Sequence, residues 1–94
     1  MRKLLKIKVT TEDIIKGRRN STDRCPIARA AKRVLKKVDG VMGDVIDFKF
    51  DTILQEDNMC ILPIKAQRFI AHFDDDKKVK PFTFQVSVPV KFIR

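Results

Sequence analysis

The chain has 94 residues and a mass of 10.9 kDa, a size that supports one hydrophobic core and excludes a multidomain enzyme. Its apolar fraction of 44% is too high for a disordered basic tail. Lys and Arg total 21 against 12 Asp and Glu, a net charge of +9, which favours an acidic partner such as nucleic acid, an anionic membrane surface or an acidic protein. We therefore expect a single folded domain over residues 1–94.

The charge pattern argues against a membrane segment. The longest stretch without a charged residue covers the ten residues 81–90, about half the length of a membrane-spanning helix. Lys and Arg also interrupt the N-terminal segment every few residues, which leaves no apolar core for a signal peptide. We expect a soluble cytoplasmic protein in which Cys25 and Cys60 are reduced.

The first half of the chain predicts one strand, a helical turn and a helix. Apolar and charged side chains alternate over residues 3–9, as in a half-buried strand. Residues 10–13 supply a hydroxyl cap and a carboxylate three positions on, and Gly17 closes the short helical turn that follows. After a basic loop at residues 18–24, Pro26 begins a helix over residues 25–38 with apolar residues at spacings of three and four.

The second half predicts three strands and a helix. Turns at Asp39-Gly40 and Gly43-Asp44 precede a strand over residues 46–52, and a hairpin loop at 55–58 leads to a third strand over 59–62. A helix begins near Pro63 and ends at the acidic run 74–76, which we expect to be solvated. Strict alternation over 82–92 predicts the last strand, where Pro89 indicates a sheet edge or a bulge.

The resulting order β-α-α-β-β-α-β predicts an α+β fold. We expect a single-layer, mostly antiparallel sheet with the helices on one face. The order is that of a ferredoxin-like sandwich, and it leaves the topology open.

The positive charge is concentrated in the first 40 residues, which hold 13 Lys and Arg against 4 Asp and Glu, whereas residues 41–94 hold 8 of each. The predicted helix carries five cations opposite its apolar face and no acid among them, and the preceding loop adds three. Such polarisation suits a phosphate backbone. The candidate nucleic-acid-binding residues are Arg18, Arg19, Arg24, Arg29, Lys32, Arg33, Lys36 and Lys37.

The seven Phe occupy the apolar phases of their elements. We expect them to pack in the core rather than stack on bases. Residues 59–62 also lack the basic-aromatic signature of the RNA-recognition domain. We therefore favour a helix docked in a groove of the nucleic acid, or contact with its backbone alone, over stacking on bases.

Catalytic and metal sites have little support. Cys25 lies at a predicted helix N-terminus beside Arg24, a setting that can lower the pKa of a thiol, although we favour a capping or semi-buried structural role. His72, the only imidazole, lies on another helix. With no acid-base pair, no Gly-rich phosphate loop and too few ligands for a zinc site, we expect no enzyme, cofactor or metal.

Several short motifs resemble a group of small bacteriophage proteins of unknown function. The similarity touches nearly the full chain through a Val-Thr-x-x-Asp-Ile turn at residues 9–14, a Cys-Pro-Ile-Ala helix start at 25–28 and a Pro-Phe-x-Phe strand at 81–84. Members often have a second Cys three positions before the Cys-Pro, where this chain has Thr22. The resemblance implies a viral origin, the host cytoplasm and a non-enzymatic accessory role.

Two hypotheses follow. The first is a small non-enzymatic phage-type protein that binds the nucleic-acid backbone through the basic helix and loop. The second is an interaction protein, either an inhibitor of an acidic host protein or a homo-oligomer formed through a sheet edge.

Overall fold

The computed structural model describes residues 1–49 and 59–94. The predicted hairpin loop at 55–58 and the end of the predicted strand 46–52 lie outside them. The described strands are β1 Arg2–Val9, β2 Val38–Met42, β3 Val45–Phe48, β4 Cys60–Ile61 and β5 Phe82–Pro89. The described helices are α1 Thr11–Lys16, α2 Pro26–Val34 and α3 Ile64–Asp74, and a 3₁₀ turn, Val90–Phe92, follows β5.

Strands β1 and β5 form an antiparallel ladder of two eight-residue strands. Ile7 faces Phe84 across the ladder, and both side chains are buried. The alternation predicted for both strands is therefore confirmed over their paired length. The ladder stops at Pro89, whose nitrogen carries no hydrogen to donate, and the chain turns into the 3₁₀ turn.

The α+β class is confirmed, but the expected single sheet is wrong. Strands β2, β3 and β4 form a separate antiparallel sheet, and β2 covers residues that the sequence assigned to a helix end and turns. Because β3 is paired on both sides by β2 and β4, it offers no edge to the β1–β5 ladder. The described strands thus form two sheets rather than the one sheet of a ferredoxin-like sandwich.

Helix α2 ends at Val34, four residues earlier than predicted. Backbone groups at this point form hydrogen bonds with the C-terminal segment. The Lys36 amide donates to the Phe92 carbonyl at 2.6 Å, and the Arg94 amide donates to the Val34 carbonyl at 3.0 Å. Lys37 then adopts a positive φ of 60° before β2 begins. A long-range backbone contact has ended a helix whose apolar periodicity continues to Val38.

The core lies between the β1–β5 ladder, the second sheet and the apolar face of α2. Ile27, Ala31 and Leu35 are fully buried on that face. The Phe48 and Phe92 rings stack at 3.9 Å between centroids, which joins β3 to the C-terminal turn.

Helix α3 presents the predicted apolar face, with Ala66 and Phe69 buried. At its start, the Gln67 side chain donates to the Leu62 carbonyl at 2.9 Å. None of the helices in the described parts of the chain is long and apolar enough to cross a membrane.

Gly40 lies where β2 approaches the basic loop, and it provides a test of this packing. A Cβ at Gly40 would lie 2.7 Å from the Thr22 carbonyl oxygen, whereas a Cβ at Gly43 would meet nothing within 4 Å. We expect Gly40→Ala to lower the free energy of unfolding by about 1 to 3 kcal/mol, because backbone must move.

The matched control is Gly43→Asn, since Gly43 has a positive φ of 63° that Asn tolerates. We expect it to cost less than about 1 kcal/mol. Urea unfolding followed by circular dichroism compares the two variants. Equal stability losses would contradict the close contact between β2 and the loop.

Candidate nucleic-acid interface

The site is built on the capping box at the start of α1. The Asp13 amide donates to Thr10 Oγ1 at 3.2 Å, and the Thr10 amide donates to Asp13 Oδ2 at 2.9 Å. This is the predicted pairing of a hydroxyl cap with a carboxylate three residues later. Unlike most capping carboxylates, which face solvent, Asp13 is 0% exposed.

Burial of Asp13 is compensated by two arginines of α2. Arg33 Nη1 and Nη2 each lie 2.7 Å from one oxygen of the carboxylate, and Nη2 also donates to the Lys8 carbonyl at 2.9 Å. Arg29 Nε lies 3.5 Å from Asp13 Oδ1. Asp13 therefore joins β1, α1 and α2. It also holds Arg29 and Arg33, two of the cations of α2, in place.

The pKa values follow from this geometry. Burial alone would raise the pKa of Asp13, but hydrogen bonds from Arg33 and Thr10 outweigh it and lower the pKa to about 2. The hydrogen bond to Asp13 in turn raises the pKa of Arg33. Both groups remain charged throughout the physiological pH range.

The basic loop at residues 18–24 is closed on itself and tied to the end of α3. Inside the loop, the Arg18 amide donates to the Arg24 carbonyl at 2.8 Å. Outside it, the Asn20 amide donates to Asp74 at 2.9 Å, and Arg19 pairs with Asp76 at 2.9 Å. Asp75 and Asp76 are exposed, as expected for a solvated acidic run, and Asp74 and Asp76 also contact the loop.

An open groove of about 570 Å³ lies between α1, α2 and this loop. We call it the basic groove. Five cations line it, together with the carboxylates of Glu12 and Asp23. Those cations are Lys16, Arg24, Arg29, Lys32 and Arg33.

The groove contains four of the eight predicted residues, namely Arg24, Arg29, Lys32 and Arg33. It also contains Lys16, which the sequence analysis missed because nothing in the local pattern placed α1 beside α2. The sequence feature that indicates a placed Lys16 is its position one helical turn after Glu12, with which its side chain pairs at 2.8 Å.

The other four predicted residues, Arg18, Arg19, Lys36 and Lys37, do not line the groove. Lys36 and Lys37 were assigned to the helix face, and this is wrong because α2 ends at Val34. Both are exposed in the connection to β2. They add to the positive field around the groove without belonging to its wall.

The groove cations differ in how far they are engaged. Lys32 Nζ donates to the Asp23 carbonyl at 2.7 Å, and Arg33 is held by Asp13. Within residues 1–49 and 59–94, the exposed Arg24 side chain makes no ion pair. The Nε of Arg29 is buried, so its exposed surface belongs to other atoms of the side chain. Arg24 and Arg29 are therefore the cations best placed to meet an external anion.

Cys25 caps helix α2 instead of acting as an activated thiol. Its Sγ accepts from the Ala28 amide at 3.4 Å. Burial raises the pKa of the Cys25 thiol, since the charged form loses solvent. The possibility of a lowered pKa is thus wrong, and the favoured structural role agrees with the geometry.

No protein-family model, curated protein or solved structure matches this chain. Among the residues that the structure describes, no three His, Cys, Asp or Glu side chains cluster as metal ligands would. Function is therefore inferred from the geometry and charge of the chain itself.

The Asp13 ion pair has a testable pH dependence. Its pKa is about 2 in the folded state and near the ordinary 3.8 when unfolded, so the stabilisation is complete above about pH 4 and is lost as the pH falls through about 2. This shift corresponds to about 2 kcal/mol. We expect Asp13→Asn to lower the free energy of unfolding at neutral pH by about 2 to 3 kcal/mol, because Arg33 loses its charged partner.

Urea unfolding between neutral pH and about pH 2 measures both effects. Asp44→Asn, at an exposed turn, is the matched control and should follow the native protein. Parallel loss of stability by the native chain and Asp13→Asn through the acid range would refute the assignment.

Proposed function

We propose that the protein binds the phosphate backbone of nucleic acid through the basic groove. The observation that carries this proposal is the convergence of five cations from α1, α2 and the loop around one open groove. Among the described residues, only two carboxylates line the same groove, and Glu12 is already paired with Lys16. The groove therefore keeps a positive charge that an external anion can neutralise.

Asp13 supports this function from beneath the groove. Arginine in solution loses conformational freedom when it binds a phosphate, but Arg29 and Arg33 are already oriented by the buried carboxylate. Guanidinium groups suit phosphate because their planar donors match its oxygens. Preorganised arginines in a positively charged groove suit the repeated phosphates of a nucleic-acid backbone.

The predicted mode of binding is insensitive to base sequence. Contacts to phosphates fix the orientation of a protein on a duplex and carry no sequence information of their own. A non-enzymatic accessory role in a phage-infected cell, as the sequence resemblance implies, is compatible with such binding and remains part of the proposal.

Neutralising two groove cations tests the function. We expect Arg24→Gln with Lys32→Gln to weaken binding of a short mixed-sequence DNA duplex about tenfold at low salt. The slope of log affinity against log salt should fall by about two, one for each lost phosphate contact. Fluorescence anisotropy over a salt series measures both quantities.

The matched control is Lys49→Gln with Lys77→Gln, two exposed cations outside the groove. It removes the same net charge, so it should retain the native slope. Equal weakening by both double variants would show attraction by overall charge, and no duplex binding at low salt would overturn the proposal.

A second candidate function is self-association through the β1–β5 ladder. Among the described residues, these strands pair only with each other, and Leu4 on β1 is 65% exposed. Long, unpaired strand edges can pair with a further strand. A strand of a second copy of the chain would pair with the free edge of β1 or β5 and extend the ladder.

If the ladder mediates self-association, sedimentation should show a dimer that Leu4→Lys dissociates. Ile15→Lys replaces an equally exposed side chain on α1 and should leave the dimer intact. A native chain that remains monomeric at high concentration would rule out this function.

A further inference from the structure

A second positively charged groove lies on α3 and the segment that follows it. It has a volume of about 520 Å³ and an apolar floor that includes Ile64, Val79 and Phe82. Five basic side chains also line it, and we call it the α3 groove. These are Lys65, Arg68, His72, Lys78 and Lys80.

The charge of the α3 groove is not balanced within the described chain. No carboxylate lines it, and across residues 1–49 and 59–94 its Lys and Arg side chains make no ion pair. Lys65, Arg68 and His72 have the spacing that places side chains on one helix face. The like charges of Lys65 and Arg68 disfavour one another at this spacing, and a bound anion would relieve this cost.

The floor of the groove offers an aromatic surface. Phe82 packs against the core, as the sequence pattern predicted, but it is only partly buried. Its ring lies 4.8 Å from Phe69 and 5.7 Å from Phe84, measured between centroids. Phe69 and Phe84 therefore hold the Phe82 ring on its core side, and Phe82 also lines the groove. A base could stack on a ring placed in this way.

A neighbouring groove extends this surface over the β1–β5 ladder. It has a volume of about 670 Å³ and shares Lys65 with the α3 groove. Lys6, Thr83 and Gln85 also line it, and none of the carboxylates in the described parts of the chain does. Lys6 lies directly across the ladder from Gln85. The two grooves therefore adjoin at Lys65.

We propose that these two adjoining grooves bind single-stranded nucleic acid, with one base stacked on Phe82 and the adjoining phosphates held by Lys65 and the other groove cations. Single-strand sites combine a positive groove that follows the backbone with aromatic rings on which bases stack. A base within a duplex is already stacked on both faces, so Phe82 selects unpaired nucleotides. An acidic peptide would satisfy the charges but has no repeated flat ring to place on Phe82.

This site uses other residues than the basic groove does, so the two proposals can fail independently. Duplex binding and its salt dependence test the basic groove. Dependence of single-strand binding on Phe82 tests the α3 groove.

The first experiment uses oligo(dT) that contains one 2-aminopurine. The chain has no Trp or Tyr, so the fluorescence of this base analogue reports stacking without interference from the protein. We expect Phe82→Leu to weaken binding about 5- to 20-fold and to abolish the fluorescence change.

Phe73→Leu is the matched control, because Phe73 is also a partly buried ring in contact with Phe69 and does not line the groove. It should bind as the native chain does. Equal effects of the two Leu variants, or unchanged binding by Phe82→Leu, would overturn the proposal.

A second variant avoids any change to the core. Lys78→Gln with Lys80→Gln alters two exposed side chains, and we expect it to weaken oligo(dT) binding about tenfold while duplex binding is unchanged. A preference for an acidic peptide over oligo(dT), lost in the Lys78→Gln and Lys80→Gln variant, would replace nucleic acid with protein as the ligand. No oligo(dT) binding at low salt would refute the inference outright.

Discussion

The carboxylate of Asp13 connects the elements that build the basic face of this protein. It completes the capping box of α1, receives both terminal nitrogens of Arg33 and lies beside Arg29, while Arg33 also reaches the Lys8 carbonyl of β1. A buried ion pair adds little net stability compared with apolar packing, yet removal of one partner is costly. The strength of this contact therefore lies in specifying how α1, α2 and β1 meet. The basic groove exists because that junction places α1 beside α2.

Because of this junction, some of the cations in the first 40 residues interact within the fold and are only partly available to an external anion. A one-signed helix face suggested that each cation was available for an external anion. The structure uses Arg33 to neutralise a buried acid, uses Lys32 to hold a carbonyl of the loop and leaves Arg24 exposed. Arginines that are held by the buried Asp13 carboxylate can still donate hydrogen bonds to an external anion, so structural and binding roles coexist on α2.

Residues 41–94 have no net charge, but the described carboxylates and cations of α3 and the segment after it lie on different surfaces. Asp74 and Asp76 turn toward the basic loop, where they bind Asn20 and Arg19. The cations of α3 and the following segment instead surround an apolar floor that no described carboxylate lines. A sum over residues 41–94 hides this separation, because it adds charges that the fold places on different surfaces.

Local patterns in the sequence determined the α+β class, the β1 and β5 alternation, the α1 cap, the start of α2 and the apolar face of α3, because each depends on neighbours within a few residues. Tertiary structure decided that the strands form two sheets, that α2 ends at Val34 and that Lys36 and Lys37 leave its face. It also buried Asp13 beneath the arginines and raised the pKa of Cys25. These outcomes depend on contacts between residues far apart in the chain, such as the Lys36 amide with the Phe92 carbonyl. Periodicity and propensity carry no information about such partners, since they describe only the local conformation of the chain.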